Sequence, residues 1–144
     1  MRQQRILRHA YLHFVWSTRQ RLPLLKIEIE AKVYAYIVKV CQDDGCDLIA
    51  IGGMPDHLHL LVNFSNTLSF AEFVQHVKGG SSRFINHVLD PNANFAWQKG
   101  YAVFSIRKGD IESTRSYILN QKTRHSSENL WSSLEEMPPE DEDD

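Results

Sequence analysis

Cysteine is scarce in this chain. Among 144 residues only Cys41 and Cys46 occur, four residues lying between them. A secreted disulfide scaffold carries more, and a structural zinc site needs two further soft ligands beside such a pair. Free thiols in a reducing compartment are the expectation. Long hydrophobic runs are also missing: no apolar stretch reaches the ~18 residues of a membrane span, so no contact with a membrane is expected. The N-terminal "MRQQRILRHAYLHFVW" is basic but has neither an uninterrupted apolar segment nor a small-residue cleavage site, which points to the cytoplasm. Positive charge is absent from the C-terminus. All 16 Lys and Arg lie at or before Arg124, while the last ten residues, "EEMPPEDEDD", hold seven of the 18 acids. The formal charge of −2 therefore hides sixteen bases against eleven acids in residues 1–134. A basic body suits a polyanionic partner, because phosphate contacts need Lys and Arg. The tail has two prolines and little to bury, so residues 131–144 are expected to be disordered after a single domain of residues 1–130.

No internal repeat breaks up the body. "AYLHFVWST" (Ala10 to Thr18) alternates and is rich in aromatics, as a strand is. From Ile27 to Gln42 an apolar stripe of Ile29, Val33, Tyr36, Ile37 and Val40 predicts a helix ending at "DDG". "CDLIAIGGM" reads as a second strand broken by Gly52–Gly53, and "HLHLLVNF" as a third. Residues 65–89 predict one helix or two, interrupted or bent at Gly79–Gly80. "FAWQKGYAVFSI" (Phe95 to Ile106) predicts a fourth strand, or a pair kinked at Gly100. A last helix, capped by Asp110 or Ser113, runs to about His125. Two strands adjoin across a short Met-Pro-Asp link, which one-to-one parallel α/β repeats would not allow. The fold class is therefore α+β, a ferredoxin-like antiparallel sheet with helices packed on it.

Side chains at i and i+2 of a strand share a face. Leu58, Leu60, Val62 and Phe64 form one apolar face; His57, His59, Leu61 and Asn63 lie on the other. Two imidazoles ~7 Å apart along a strand can converge on one divalent cation, given a third ligand from elsewhere. The plainer alternative is a pair of half-exposed surface histidines. A histidine-triad hydrolase would need a third alternating His, but residue 61 is Leu; a two-histidine phosphoesterase would need Ser or Thr at i+2 of each His; and HExxH is absent. On the last helix Tyr117 and Gln121 stand at i and i+4, with His125 one turn on. Tyr117 is either a core-rim aromatic or a nucleophile able to attack phosphorus. In the second case Gln121 would bring a carbonyl oxygen to the metal that polarises the phosphate.

Four blocks in this order, "MPDHLHLLV", "VKGGSSRFIN", "WQKGYAVFSI" and "YILNQ", resemble the small single-tyrosine HUH transposases of bacterial insertion sequences and their REP-associated relatives. The resemblance spans roughly Tyr11 to His125. It implies an RRM-like sheet, and a single HUH-type domain over residues 1–130. It also implies His57, His59 and Gln121 as ligands of Mg²⁺ or Mn²⁺, and Tyr117 as the nucleophile. The substrate would be single-stranded DNA with hairpins at the element ends, cleaved to a 5′-phosphotyrosine and a free 3′-hydroxyl. A homodimer is implied too, in which one subunit's tyrosine helix can complete the other's metal site.

Basic residues crowd the N-terminus: Arg2, Arg5, Arg8, Arg19, Arg21 and Lys26 all precede residue 27. They suggest a phosphate-contacting edge, with Trp16 or Tyr11 to stack on unpaired bases. Lys78 and Arg83 flank "GGSS", a second candidate approach to DNA. Two other functions stay open. A non-catalytic RRM-like binder would show an aromatic-rich strand motif where this chain has histidines. A metal-dependent phosphodiesterase would use water as nucleophile and leave Tyr117 incidental.

Overall fold

The computed structural model describes residues 6–126 and 135–138. Elements follow in the order β1 (Tyr11–Ser17), α1 (Ile27–Asp43), β2 (Asp47–Met54), β3 (His57–Asn63), α2 (Phe70–Phe84), β4 (Ala102–Ser105), α3 (Ile111–Leu119) and α4 (Gln121–Ser126). The strands lie in the order β2-β3-β1-β4 and every pairing is antiparallel. This is the expected ferredoxin-like arrangement, extended by the α3–α4 pair.

The alternation in β3 divides the molecule into layers. Leu58, Leu60 and Val62, with Phe64 just beyond, face Phe14 and Trp16 of β1, Val33 and Ile37 of α1, and Phe73, Val74 and Val77 of α2. Each such fully buried side chain contributes about 1.5–3 kcal/mol, so this face dominates stability. A smaller cluster of Ala50, Leu61 and Ile118 joins the opposite face to α3. The sheet is thus covered on both sides, and the histidine face lies under the C-terminal helices. Both cysteines are free and buried, and burial pushes the Cys41 thiol up to about 12. Among the described residues, no helix is long and apolar enough to cross a membrane.

Several expected boundaries move, each for a physical reason. β2 runs unbroken through Gly52–Gly53, where glycine serves close approach: a Cβ on Gly52 would strike the Ile118 carbonyl oxygen, and one on Gly53 the His57 carbonyl oxygen. α2 passes straight through Gly79–Gly80 and continues into a π-helical turn at Ile85–Leu89. Gly80 there makes room for the Tyr36 ring, since a Cβ would lie 2.6 Å from its hydroxyl. The Ser69–Glu72 capping box starts this helix. Only Ala102–Ser105 of the expected fourth strand is a strand; Gly100 (φ +84°) turns the chain just before it, and Trp97 makes a lone bridge to Thr18. The last helix is two, parted at Asn120 (φ −104°, ψ 25°). Asp110 holds the N-cap position of α3 without a side-chain cap bond, its carboxylate accepting instead from Arg107 Nε at 3.1 Å.

Of the tail, Glu135–Pro138 are among the described residues and touch the body: Arg21 Nη1 donates to the Met137 sulfur at 3.6 Å. Expectations for residues 131–134 and 139–144 lie outside the described residues, as do those for Arg2, Arg5 and the His125 side chain.

Candidate active site

β3 begins at His57, so the Pro55–Asp56 turn sets the entry of the site. Backbone bonds pin this turn to the β1–α1 loop: Thr18 N–H donates to the Asp56 carbonyl at 2.9 Å and Leu25 N–H to that of Pro55 at 2.9 Å. His57 and His59 are both fully buried. His57 Nδ1 donates to Asp56 Oδ1 at 2.7 Å, and that bond foremost holds the Asp56 carboxyl below its ordinary range. Burial pulls the His57 imidazole down, but its bonds to Asp56 and Glu135 outweigh that and leave it at about 9. His59 Nδ1 lies 2.9 Å from Nε2 of His13 on β1. Burial, then the neighbouring His59, lowers His13 to about 3, so His13 is neutral at physiological pH. To receive a cation, His59 would carry its hydrogen on Nδ1, donated to His13, and turn an Nε2 lone pair into the site in place of the bond to Glu135. Asp56 orients the His57 ring in the same sense.

The other wall is α3–α4. Thr114, Tyr117 and Ile118 form the buried stripe of α3, which places the Tyr117 ring edge-on to His59 with centroids 6.1 Å apart. Tyr117 is fully buried rather than at the stripe's rim. The kink at Asn120 turns the chain so that Gln121 opens α4. Gln121 Nε2 donates to the Tyr117 carbonyl at 3.3 Å, leaving Oε1 3.2 Å from His57 Nε2. Lys122 secures this corner, its Nζ donating to the Gly53 carbonyl at 3.0 Å and to Glu30 of α1 at 2.6 Å.

One chain therefore gathers both histidines, Gln121 and Tyr117. It also brings Glu135, whose Oε2 accepts from the Tyr117 hydroxyl at 2.8 Å and lies 3.0 Å from His59 Nε2, with Oε1 3.3 Å from His57 Nε2. Burial alone would raise the Glu135 carboxyl, yet its bonds to His57 and His59 hold it well below the usual carboxylate range. His57 Nε2 faces the Gln121 amide oxygen, whose nitrogen is engaged, and His59 Nε2 faces Glu135, while both imidazoles have their Nδ1 edges engaged elsewhere. That donor set fits a divalent cation.

The model of the family described as IS200-like transposases matches residues 7–121. The chain belongs to this transposase family. It is a DNA transposase. The transposase is 24% identical over 115 residues to the ISDra2 transposase TnpA of Deinococcus radiodurans, covering 76% of this chain and 81% of that one. It also resembles a crystal structure of a Deinococcus radiodurans R1 protein provisionally assigned as a transposase (25% identity, TM-score 0.62, 84% of this chain and 98% of the other). The same fold occurs in a REP-associated tyrosine transposase solved bound to a REP hairpin (20% identity, TM-score 0.63, 87% of this chain and 74% of the other).

The residues expected to touch DNA are scattered in role. Arg19, Arg21 and Arg83 are exposed. Arg21 reaches the rim of the transposase site, 3.4 Å from Asp56. Arg8 is engaged in the fold, its Nε donating to the Phe64 carbonyl at 2.6 Å and its Nη2 to Asp47 at 3.0 Å. Lys78 donates to the carbonyls of Gln98 and, at 2.9 Å, Gly100, so it braces the loop leading to β4. Trp16 is corrected outright: it is 1% exposed, edge-to-face with Trp97 in the main core, where no base can stack on it. Sequence reading missed His13 and Glu135. Neither carries a local motif; only the cross-strand register and the return of the C-terminal segment bring them in.

Proposed function

We propose that this transposase cleaves and rejoins single-stranded DNA bearing hairpins, with Tyr117 as nucleophile and a divalent cation, Mg²⁺ or Mn²⁺, held by His57, His59 and Gln121. The observation that carries the reading is that the Tyr117 hydroxyl and His59 Nε2 sit 2.8 and 3.0 Å from one and the same oxygen, Glu135 Oε2. The phenol is thus within one atom of the metal-binding nitrogens. The cation, when bound, supplies Lewis-acid polarisation of a phosphoryl oxygen. Tyr117 Oη then attacks phosphorus in line. The new O–P bond makes a 5′-phosphotyrosine, and the broken P–O bond leaves a free 3′-hydroxyl. Attack of a 3′-hydroxyl on that phosphotyrosine reverses the exchange and needs no ATP. His57, Asp56, His59 and His13 keep the acceptor atoms aimed into the site throughout.

Exposed Arg19, Arg21 and Arg83 supply phosphate contacts in this reading, and Arg21 is the one beside the site. The hairpin bound by the REP-associated relative supports a hairpin substrate. A homodimer belongs to the proposal as an expectation of the family, although a single chain already brings Tyr117 to its own histidines.

The test is incubation with Mn²⁺ and end-labelled hairpin DNA, followed by denaturing electrophoresis. A covalent adduct should form, and Tyr117→Phe should lower cleavage by roughly 10⁴-fold or more. Cleavage that survives Tyr117→Phe would transfer the role to water, and binding without cleavage would leave a DNA-binding protein only. Mixing Tyr117→Phe with His59→Ala protein restores activity only if the tyrosine acts in trans.

A further inference from the structure

We propose that Glu135 is a fourth ligand of the catalytic cation, supplied by the C-terminal segment, and that it ties the Tyr117 hydroxyl to that cation. This inference rests on the metal site of the proposed function and adds a ligand to it.

Three observations lead here. The first is convergence: ligand atoms of His57, His59 and Glu135 all lie within 4.8 Å of one another. The second is spacing. Glu135 Oε2 stands 3.0 Å from His59 Nε2 and its Oε1 3.3 Å from His57 Nε2, and Gln121 Oε1 stands 3.2 Å from His57 Nε2. These are hydrogen-bond and ion-pair distances, and they leave the donor atoms near enough to share one cation. The third is charge. His57, His59 and Gln121 are neutral as ligands, so without a carboxylate the site offers a divalent ion no anionic ligand. Glu135 supplies one, and a mixed nitrogen and oxygen set with a carboxylate suits Mn²⁺.

The segment is held at more than one point. Met137 meets Arg21, and Pro138 lies beside Gly100, 3.5 Å from where a Cβ would stand. Glu135 is therefore brought to the site by a docked stretch of chain, with its side chain 16% exposed. The same Oε2 that faces His59 accepts from the Tyr117 hydroxyl at 2.8 Å, so one carboxylate oxygen spans nucleophile and metal site.

The competing role for Glu135 is a plain cover that occupies the place of a DNA phosphate and contributes nothing to metal binding. Calorimetric titration of the full chain with Mn²⁺, in the absence of DNA, separates the two. Glu135→Ala is expected to weaken Mn²⁺ binding about tenfold or more, and Glu135→Asp to recover part of the loss. Unchanged Mn²⁺ affinity in Glu135→Ala overturns the proposal, and faster hairpin cleavage by that variant would then identify the cover. His57→Ala, titrated in parallel, reports on the underlying site: if it binds Mn²⁺ as the unaltered chain does, the histidine metal site itself fails, whatever Glu135 does.

Discussion

At the scale of single residues, the site depends on groups that never touch a substrate. His13 is the clearest case. It is buried and neutral, and its Nε2 lies 2.9 Å from His59 Nδ1. Replacing it with Leu keeps an apolar filling but removes the partner that selects the His59 tautomer. Mn²⁺ affinity measured by calorimetry should fall about 10–100-fold, with the urea midpoint of the metal-free protein far less affected. Unaltered affinity would show that His59 needs no such partner. Why His13 was not legible follows from register. β1 pairs with β3 so that His13 stands opposite Leu61, while Val15 stands opposite His59, and the imidazoles meet on a diagonal. The sequence displays the alternation within β3 but not the offset between two strands. His57, His59, Tyr117 and Gln121 could be read because the members of each pair lie within a few residues of each other in the sequence. Glu135 could not, because in the sequence it is one acid of an acidic run.

At the scale of elements, the order of strands and helices was legible and the meaning of the glycines was not. In the sequence glycine reads as punctuation, whereas Gly52 and Gly53 of β2 and Gly80 of α2 mark close packing against a neighbouring element. Gly52 lets the backbone of α3 settle on β2 at Ile118, the residue after Tyr117. A Cβ there would meet a backbone carbonyl, which has no rotamer to escape by. Gly52→Ala should therefore cost about 1–3 kcal/mol in urea unfolding and, by lifting α3, depress hairpin cleavage further than the stability loss explains. Gly79 is the control, since nothing lies within 4 Å of its missing Cβ and it sits in a helix interior. Gly79→Ala should stabilise the protein by about 0.5–1 kcal/mol and leave cleavage alone. Equal effects of the two substitutions would contradict the close-approach reading of Gly52.

At the scale of the whole molecule, the two faces of the sheet do different work. The α1–α2 face carries most of the apolar burial, whereas the α3–α4 face has the small cluster of Ala50, Leu61 and Ile118 beside a polar site. That second face joins β3 to α4 across 64 residues of chain through His57 and Gln121. A cation bound there would staple the weaker layer to the sheet, and it would bind the folded state alone. At a hundred times its dissociation constant such a ligand adds about 2.7 kcal/mol. For a domain of this size that is a rise in melting temperature on the order of 10 °C. Calorimetry or circular dichroism of the full chain should show this rise with Mn²⁺ and its reversal with EDTA. His59→Ala should melt lower and lose the metal-dependent increment. Tyr117→Phe should keep that increment, because in the proposed mechanism the phenol reacts and does not ligate. A melting temperature indifferent to Mn²⁺, at a concentration that supports cleavage, would mean that the ion arrives with the DNA. The protein side chains would then only complete a site that the phosphate begins.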